Sequence, residues 1–225
     1  MVNEVTGKPL LPASSGSTPC RNRRTTKLRW RERMLFMPAL VGPDSSPNML
    51  SCRNQPVLSG PKILLRPWVD SDASSVVDAY SDPDIQRWNM RAMNDIDEAR
   101  SWIRSWRTQW SADSDAGWAI TTDRGDVAGS VSLRTVHSPS SSAQISYWLR
   151  PAMRGSGLAA QAVETVSAWA FATANFQRLW LTHSVHNQAS CAVAHHAHFQ
   201  QEGTLRRYML HADGWHDVHL HARIA

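Results

Sequence analysis

Cysteine is scarce in this chain: among 225 residues only Cys20, Cys52 and Cys191 occur, odd in number and scattered. That usage excludes a disulfide framework, offers no metal-ligand spacing, and fits a reducing cytoplasm. Long apolar runs are also missing, and no charged start leads through an apolar stretch to a small-residue cleavage site. Neither a membrane span nor a signal peptide is expected. Nor is there positive charge where a nucleic acid would need it. The net charge of +5 comes from residues 1–60, with nine Lys and Arg against three acids, whereas residues 61–225 hold fifteen against sixteen. Nucleic acid is therefore not an expected partner of the main domain, and its near-neutral balance argues only mildly against strongly acidic substrates.

What is present is enough apolar residue for one ordinary domain, 42% of the chain. Residues 1–60 mix Ser, Pro, Gly and Arg without periodicity, as in "SSGSTPCRNRRTTKLRWRERM", and read as a disordered basic extension. A transit peptide, an RNA-touching arm, or untranslated sequence before Met34, Met37 or Met49 are the other readings. The domain is expected over 61–225.

There the punctuation sharpens. "ILLRPW" reads as a strand, and "DSDASSVVDAY" as a helix capped by Asp70 or Ser71. "NDIDEARSWIRSWRTQW" opens on Asn94 or Asp95 with Glu98 at capping-box distance, and Trp102, Ile103, Trp106 and Trp110 share one face. A tryptophan stripe of that kind is expected in the core. "WAITT", the turn "DRGD", "VAGSVSL" and, after a Ser-rich loop, "QISYWLR" make an antiparallel meander.

Pro151 helps end the last of these strands, and Ala159, Ala162, Val163, Val166, Trp169 and Ala170 then recur at helical spacing, before "LWLTHSV" returns as a strand. Strand, helix and strand make a crossover between parallel neighbours. The loop "RGSGLA", Arg154 to Ala159, thus lies at a strand's carboxyl edge and a helix's amino end, where unpaired N–H groups and the positive end of the dipole favour an anion. Gly155 and Gly157 let a phosphate reach the main chain, and Arg154 adds charge. The same residues fit the dinucleotide pattern GxGxxA. That reading fails, because meander strands come first, Pro-Ala-Met-Arg intervenes after the strand, and "LTHSVHN" supplies no acid.

The loop resembles instead the R/Q-x-x-G-x-G/A pyrophosphate loop of the GNAT superfamily, the acetyl-CoA-dependent N-acetyltransferases. "LLRPW", "DPDIQRW", "ISYWLRPAMRGSGLAAQAV", "WAF", Asn187-x-x-Ser190 and "HADGWHDVHLHAR" follow in the order seen in the branch similar to ribosomal-protein N-terminal (Rim-type) acetyltransferases, over residues 62–225. The resemblance implies an α/β (α+β) fold, a mixed, mostly antiparallel split sheet flanked by helices. It implies acetyl-CoA as co-substrate, with pantetheine along the backbone of Tyr147, Trp148 and Leu149 and pyrophosphate on Arg154, Gly155, Ser156, Gly157, Leu158 and Ala159. Asn187 would meet the pantetheine arm, and Ser190 would stand near the thioester sulfur as the catalytic candidate. A splayed strand with unpaired amides can serve both pantetheine and the thioester carbonyl.

The chemistry requires a neutral amine, so a base or water chain must remove a proton. Here the chain departs from its relatives: Gln144 stands where many carry an acid, and Ala194 where many carry a tyrosine. The base is left unassigned, and the Ser190 hydroxyl is either a proton donor to the thiolate or a helix cap. His216, His219 and His221 fall in a last strand and His195, His196 and His198 at a helix end. With no Cys in either group, histidines of surface or cleft and no metal are expected. His198 replaces the glycine that ends this helix in relatives, which predicts a strained or lost αL cap. The expected activity is acetyl transfer to a primary amine, on a protein N-terminus or a small molecule. The competing reading is a catalytically weak acyl-CoA-binding or sensor protein. A monomer and a homodimer both remain open.

Overall fold

The computed structural model describes residues 49–137 and 140–225, so residues 1–48 of the expected 1–60 extension lie outside the described residues. The meander forms as its alternation predicts: β2 (Leu64–Pro67), β3 (Ala116–Thr121), β4 (Val127–His137) and β5 (Ser142–Leu149) pair antiparallel in succession, and a two-residue β1 (Leu58–Ser59) borders β2. Beyond β5 the sheet continues with β6 (Arg178–Ser184), which pairs parallel to β5, then β8 (Gly214–Ile224) and β7 (Gln200–His211), both antiparallel. The order is β1-β2-β3-β4-β5-β6-β8-β7. The strand β7 is mostly polar and exposed along its length, so it carries no alternation signal.

Helices cover both faces, which is why every residue of β3 is buried. α1 (Ala73–Ala79), α2 (Pro83–Asn89) and α3 (Ile96–Ser111) pack with Trp68, Ala119 and Trp148 on one side. α4 (Leu158–Ala172) and α5 (Gln188–His196) pack over Val131, Ile145, Leu179 and Leu181 on the other. α3 is capped by Asp95, one of the two expected residues: its Oδ1 accepts from Glu98 N–H at 2.8 Å, while Glu98 Oε2 reaches past the cap to accept from Asn94 N–H at 2.8 Å. Its stripe is core, with Ile103, Trp106 and Trp110 buried.

Two expectations change. Neither Asp70 nor Ser71 caps α1, because Asp72 stands at that position and its carboxylate takes Arg66 at 2.7 and 2.8 Å, while Asp70 pairs with Arg104. The packed chain also begins upstream of the expected boundary at 61. Met49 and Leu50 are buried in the core, and the indoles of Trp110 and Trp118 donate to the carbonyls of Arg53 and Pro56, each at 2.9 Å. Such irregular chain is held by long-range indole bonds and two apolar anchors, which leave no period to read.

Candidate active site

β5 and β6 are paired only at Ser142↔Arg178, Ala143↔Leu179 and Gln144↔Trp180, and then separate. The wedge between them is a cavity bounded by Ile145 to Tyr147 of β5, Leu181 to Ser184 of β6, Trp88 and Asn89 at the end of α2, Met209 and His211 of β7, and Asn187 and Ser190 of α5. Antiparallel pairing decides which backbone groups face the wedge. Arg150 N–H donates to Ala128 O, so every second residue back along β5, including Trp148 opposite Ser130, directs its main chain at β4. Tyr147 and Leu149 are out of phase with these and present N–H and C=O to the open side. Trp148 departs from the expected trio: its ring is buried against Trp68 and Tyr80.

The 150–158 connection turns through a short 3₁₀ segment, Pro151–Met153, into the loop. Gly155 and Gly157 have φ of 72° and 78°, and a Cβ added to either would have no neighbour within 4 Å. The glycines are thus required by left-handed backbone and not by packing, and they leave the amide face uncovered. Gly157 is the N-cap of α4 without a side-chain cap, and no acid occupies the first turn. Gln161 N–H is the first to find a helical acceptor, Gly157 O, so the N–H groups of Leu158, Ala159 and Ala160 have none. Leu158 and Ala159 bury their side chains and contribute only main chain here. The Ser156 hydroxyl donates to Met153 O at 2.6 Å and braces the loop. Arg154 is not held over the loop: it pairs with Asp82 and, at 3.1 Å, with Asp84. Burial works against the Asp82 carboxylate, but hydrogen bonds from Arg154 and Ile85 N–H outweigh it and hold its pKa below the ordinary value.

Asn187 is the N-cap of α5, its Oδ1 accepting Ser190 N–H at 3.0 Å. Its Nδ2 has no partner among the described residues, and the Ser190 hydroxyl makes no cap. Tyr147 reaches across from β5, its hydroxyl donating to Ser190 O at 3.4 Å, and burial pushes its pKa up to about 12. It stays a neutral donor. At the far end of α5, His198 takes φ of 62°, the strained left-handed residue expected from its place.

Three features were hidden from sequence reasoning. Gln144 donates through Nε2 to Thr182 Oγ1 at 3.2 Å, bridging β5 and β6 where the wedge begins. His211 is the second: its Nδ1 donates to Arg87 O at 3.1 Å, and its Nε2 is buried without a partner. A carbonyl only accepts, so in the neutral ring the buried Nε2 of this cavity-lining residue carries the lone pair. Beside it, Ser184 Oγ and His216 Nδ1 lie 2.8 Å apart, and His216 Nε2 is 2.9 Å from Asp213 Oδ1. The third is a correction. Cys191 joins His183, His219 and His221, so a cysteine does accompany the histidines. The separation of β6, α5 and β8 along the chain concealed it.

The sequence pattern of the acetyltransferase (GNAT) domain family matches residues 62–200, more than half of the chain. The chain belongs to the GNAT family of N-acetyltransferases. Among curated relatives, the uncharacterized N-acetyltransferase YoaA of Bacillus subtilis (strain 168) is 24% identical over 156 residues, covering 68% of this chain and 88% of YoaA. The uncharacterized N-acetyltransferase p20 of Bacillus licheniformis is 25% identical over 150 residues, 65% of this chain and 84% of p20. Mycobacterium smegmatis RimJ in complex with CoA-disulfide superposes with a TM-score of 0.69 at 26% identity, over 76% of this chain and 86% of RimJ. RimL, a ribosomal-protein α-N-acetyltransferase solved with coenzyme A, gives 0.68 at 21% identity, over 75% of this chain and 98% of RimL, a likeness of fold. In this GNAT domain no helix among the described residues is long and apolar enough to cross a membrane.

Proposed function

We propose that this GNAT enzyme moves an acetyl group from acetyl-CoA to a primary amine, on a protein N-terminus or a small molecule, by direct attack on the thioester. The observation that carries the reading is the β5–β6 wedge, with unpaired backbone at Tyr147 and Leu149, ending beside the uncapped start of α4. The complexes of RimJ with CoA-disulfide and RimL with coenzyme A support a CoA donor. Pantetheine would extend β5 as a strand through Tyr147 and Leu149, and the pyrophosphate would rest on the amides of the 154–159 loop. Arg154 would have to leave Asp82 and Asp84 to join it. Asn187 Nδ2 has the free donors for a pantetheine carbonyl.

The amine loses a proton and attacks the carbonyl carbon. A C–N bond forms while negative charge grows on the carbonyl oxygen, which a backbone N–H of the open edge stabilises. The C–S bond then breaks, the nitrogen gives up its remaining extra proton to leave the amide, and the CoA thiolate takes a proton. We assign proton acceptance to His211, because no carboxylate lines the cavity among the described residues and its Nε2 lone pair is unpartnered. The hydrogen-bonded Ser184–His216–Asp213 chain lies beside it, with the His211 and His216 ring centroids 4.3 Å apart. Ser190, which lines the cavity and whose hydroxyl caps no helix, would donate to the thiolate. On the acceptor side the wall is Trp88, Asn89 and Met209, a mixed surface that suits an uncharged amine.

The test is release of CoA thiol from acetyl-CoA in the presence of pooled amines and peptides with free N-termini, with acetylated product identified by mass spectrometry. Turnover with at least one amine is expected. Tight acetyl-CoA binding without turnover of any would leave only the acyl-CoA-binding role.

A further inference from the structure

β6 and β8 are antiparallel with His183 directly opposite His219, and His221 lies two residues further along β8 on the same face. α5 brings Cys191 to these histidines. One ligand atom from each of the four, three imidazole nitrogens and a thiol, falls within 4.8 Å of every other. His183 and His221 are buried, and Cys191 and His219 half-buried.

The hydrogen bonds fix which nitrogens are available. His183 Nδ1 is 2.9 Å from Ser184 O, and His221 Nδ1 is 3.4 Å from Phe199 O. Carbonyls only accept, so with Nδ1 the donor in both neutral rings, both Nε2 atoms carry lone pairs. Those two Nε2 atoms face one another at 3.2 Å. His219 adds a buried Nδ1 with no partner. Facing lone pairs repel unless a positive species lies against both. A divalent ion meets the need. Nitrogen ligands about 2.1 Å from a tetrahedral zinc stand about 3.4 Å apart, close to the separation already present. Backbone carbonyls that orient ligating imidazoles through the far nitrogen are the usual outer support of such sites.

We propose that His183, Cys191, His219 and His221 form a tetrahedral site for a zinc ion that ties α5 to β6 and β8. Binding releases the Cys191 thiol proton to solvent, and four protein ligands leave no open position for a substrate. The role is structural. It secures the helix that carries Ser190 and begins at Asn187, and it does not depend on the acceptor or on acetyl transfer.

The experiment uses the full chain, free of any affinity tag, stripped with chelator and then dialysed against zinc or cobalt(II). Elemental analysis after gel filtration should give one zinc per chain, and the cobalt form should show the intense visible bands of a tetrahedral ion with a thiolate-to-cobalt charge-transfer band. Cys191→Ser should lose the charge-transfer band, and both Cys191→Ser and His219→Ala should weaken zinc binding at least about 100-fold in a competition titration, since losing a ligand costs no less than losing its outer support. Circular dichroism shows whether each variant folds; the half-buried His219 gives a second arm if the serine variant does not. Failure of the stripped protein to take up zinc would overturn the proposal, and so would uptake unchanged in both variants. The first result would leave His183 and His221 as a plain imidazole–imidazole hydrogen bond.

Discussion

Asn187 Oδ1 accepts the backbone N–H of Ser190 at 3.0 Å, so the cap of α5 is the asparagine and the serine hydroxyl is left over for the cavity. The two side chains should therefore separate by experiment. Ser190→Ala is expected to lower kcat roughly ten- to a thousand-fold while the melting temperature and acetyl-CoA affinity barely move. Asn187→Ala should lower stability by about 1 kcal/mol and weaken acetyl-CoA binding as well, read by denaturant titration and calorimetry. Turnover unchanged in Ser190→Ala, with acceptor saturating, would remove that hydroxyl from the mechanism.

Gly157→Val should abolish measurable acetyl-CoA binding by calorimetry. A β-branched residue is strained at φ of 78°, and its Cβ would enter the space in front of the α4 amides that protein atoms leave clear. Normal binding by a folded variant would refute the anion cradle.

His211→Gln keeps a donor for Arg87 O but removes the imidazole lone pair from the cavity. It should lower kcat about a hundred-fold or more with acetyl-CoA affinity preserved, in steady-state kinetics and calorimetry. A wild-type kcat would assign proton removal elsewhere, with the Ser184–His216 pair as the next to vary.

Truncation tests where the domain starts. A chain of residues 49–225 should melt cooperatively, whereas one of 61–225 loses Met49 and Leu50 from the core and the acceptors of the Trp110 and Trp118 indoles. Two buried N–H groups left unpaired cost roughly 1–3 kcal/mol each, so the shorter chain should melt far lower. Equal melting temperatures would show that 49–60 only decorate the fold.

The same buried histidines set a pH dependence. Burial depresses the pKa of His183 and His221 in the folded protein below the ordinary value of 6.5, so the unfolded chain binds more protons as pH falls past that value. Their contribution is complete above about pH 6.5 and is lost below it. Thermal melts in chelator should show a falling melting temperature from about pH 7 towards pH 5, and His221→Phe should flatten that fall if it folds.

Much of the fold was readable because single segments carry it. The α3 cap is local, within Asn94, Asp95 and Glu98, and the β3–β5 meander shows as short apolar runs broken by turn residues, in a sheet that helices bury on both faces. The 154–159 loop was readable too, since left-handed glycines and a helix start are neighbours in sequence. Other features depend on distant partners. β7 is a polar edge strand whose register shifts twice against β8. The lone pair of His211 is defined by a carbonyl 124 residues away. Cys191 meets His219 and His221 only after α5 lies on the sheet. Arg154 was expected over the loop, yet carboxylates of α2, more than sixty residues earlier, hold it.

Mechanically, the sheet is two stiff plates joined along a short seam, for only Ser142 to Gln144 meet Arg178 to Trp180. One plate runs from β1 to β5, the other is β6, β8 and β7, and α4 and α5 carry the load across the gap. Free strand edges ordinarily invite another chain to pair with them. These edges, past the paired seam, line a cavity shared with side chains of α2, α5 and β7. A ligand that bonds along β5 then works as a rivet, and slower amide exchange on the open stretch of both β5 and β6 would report that the plates had been fastened together.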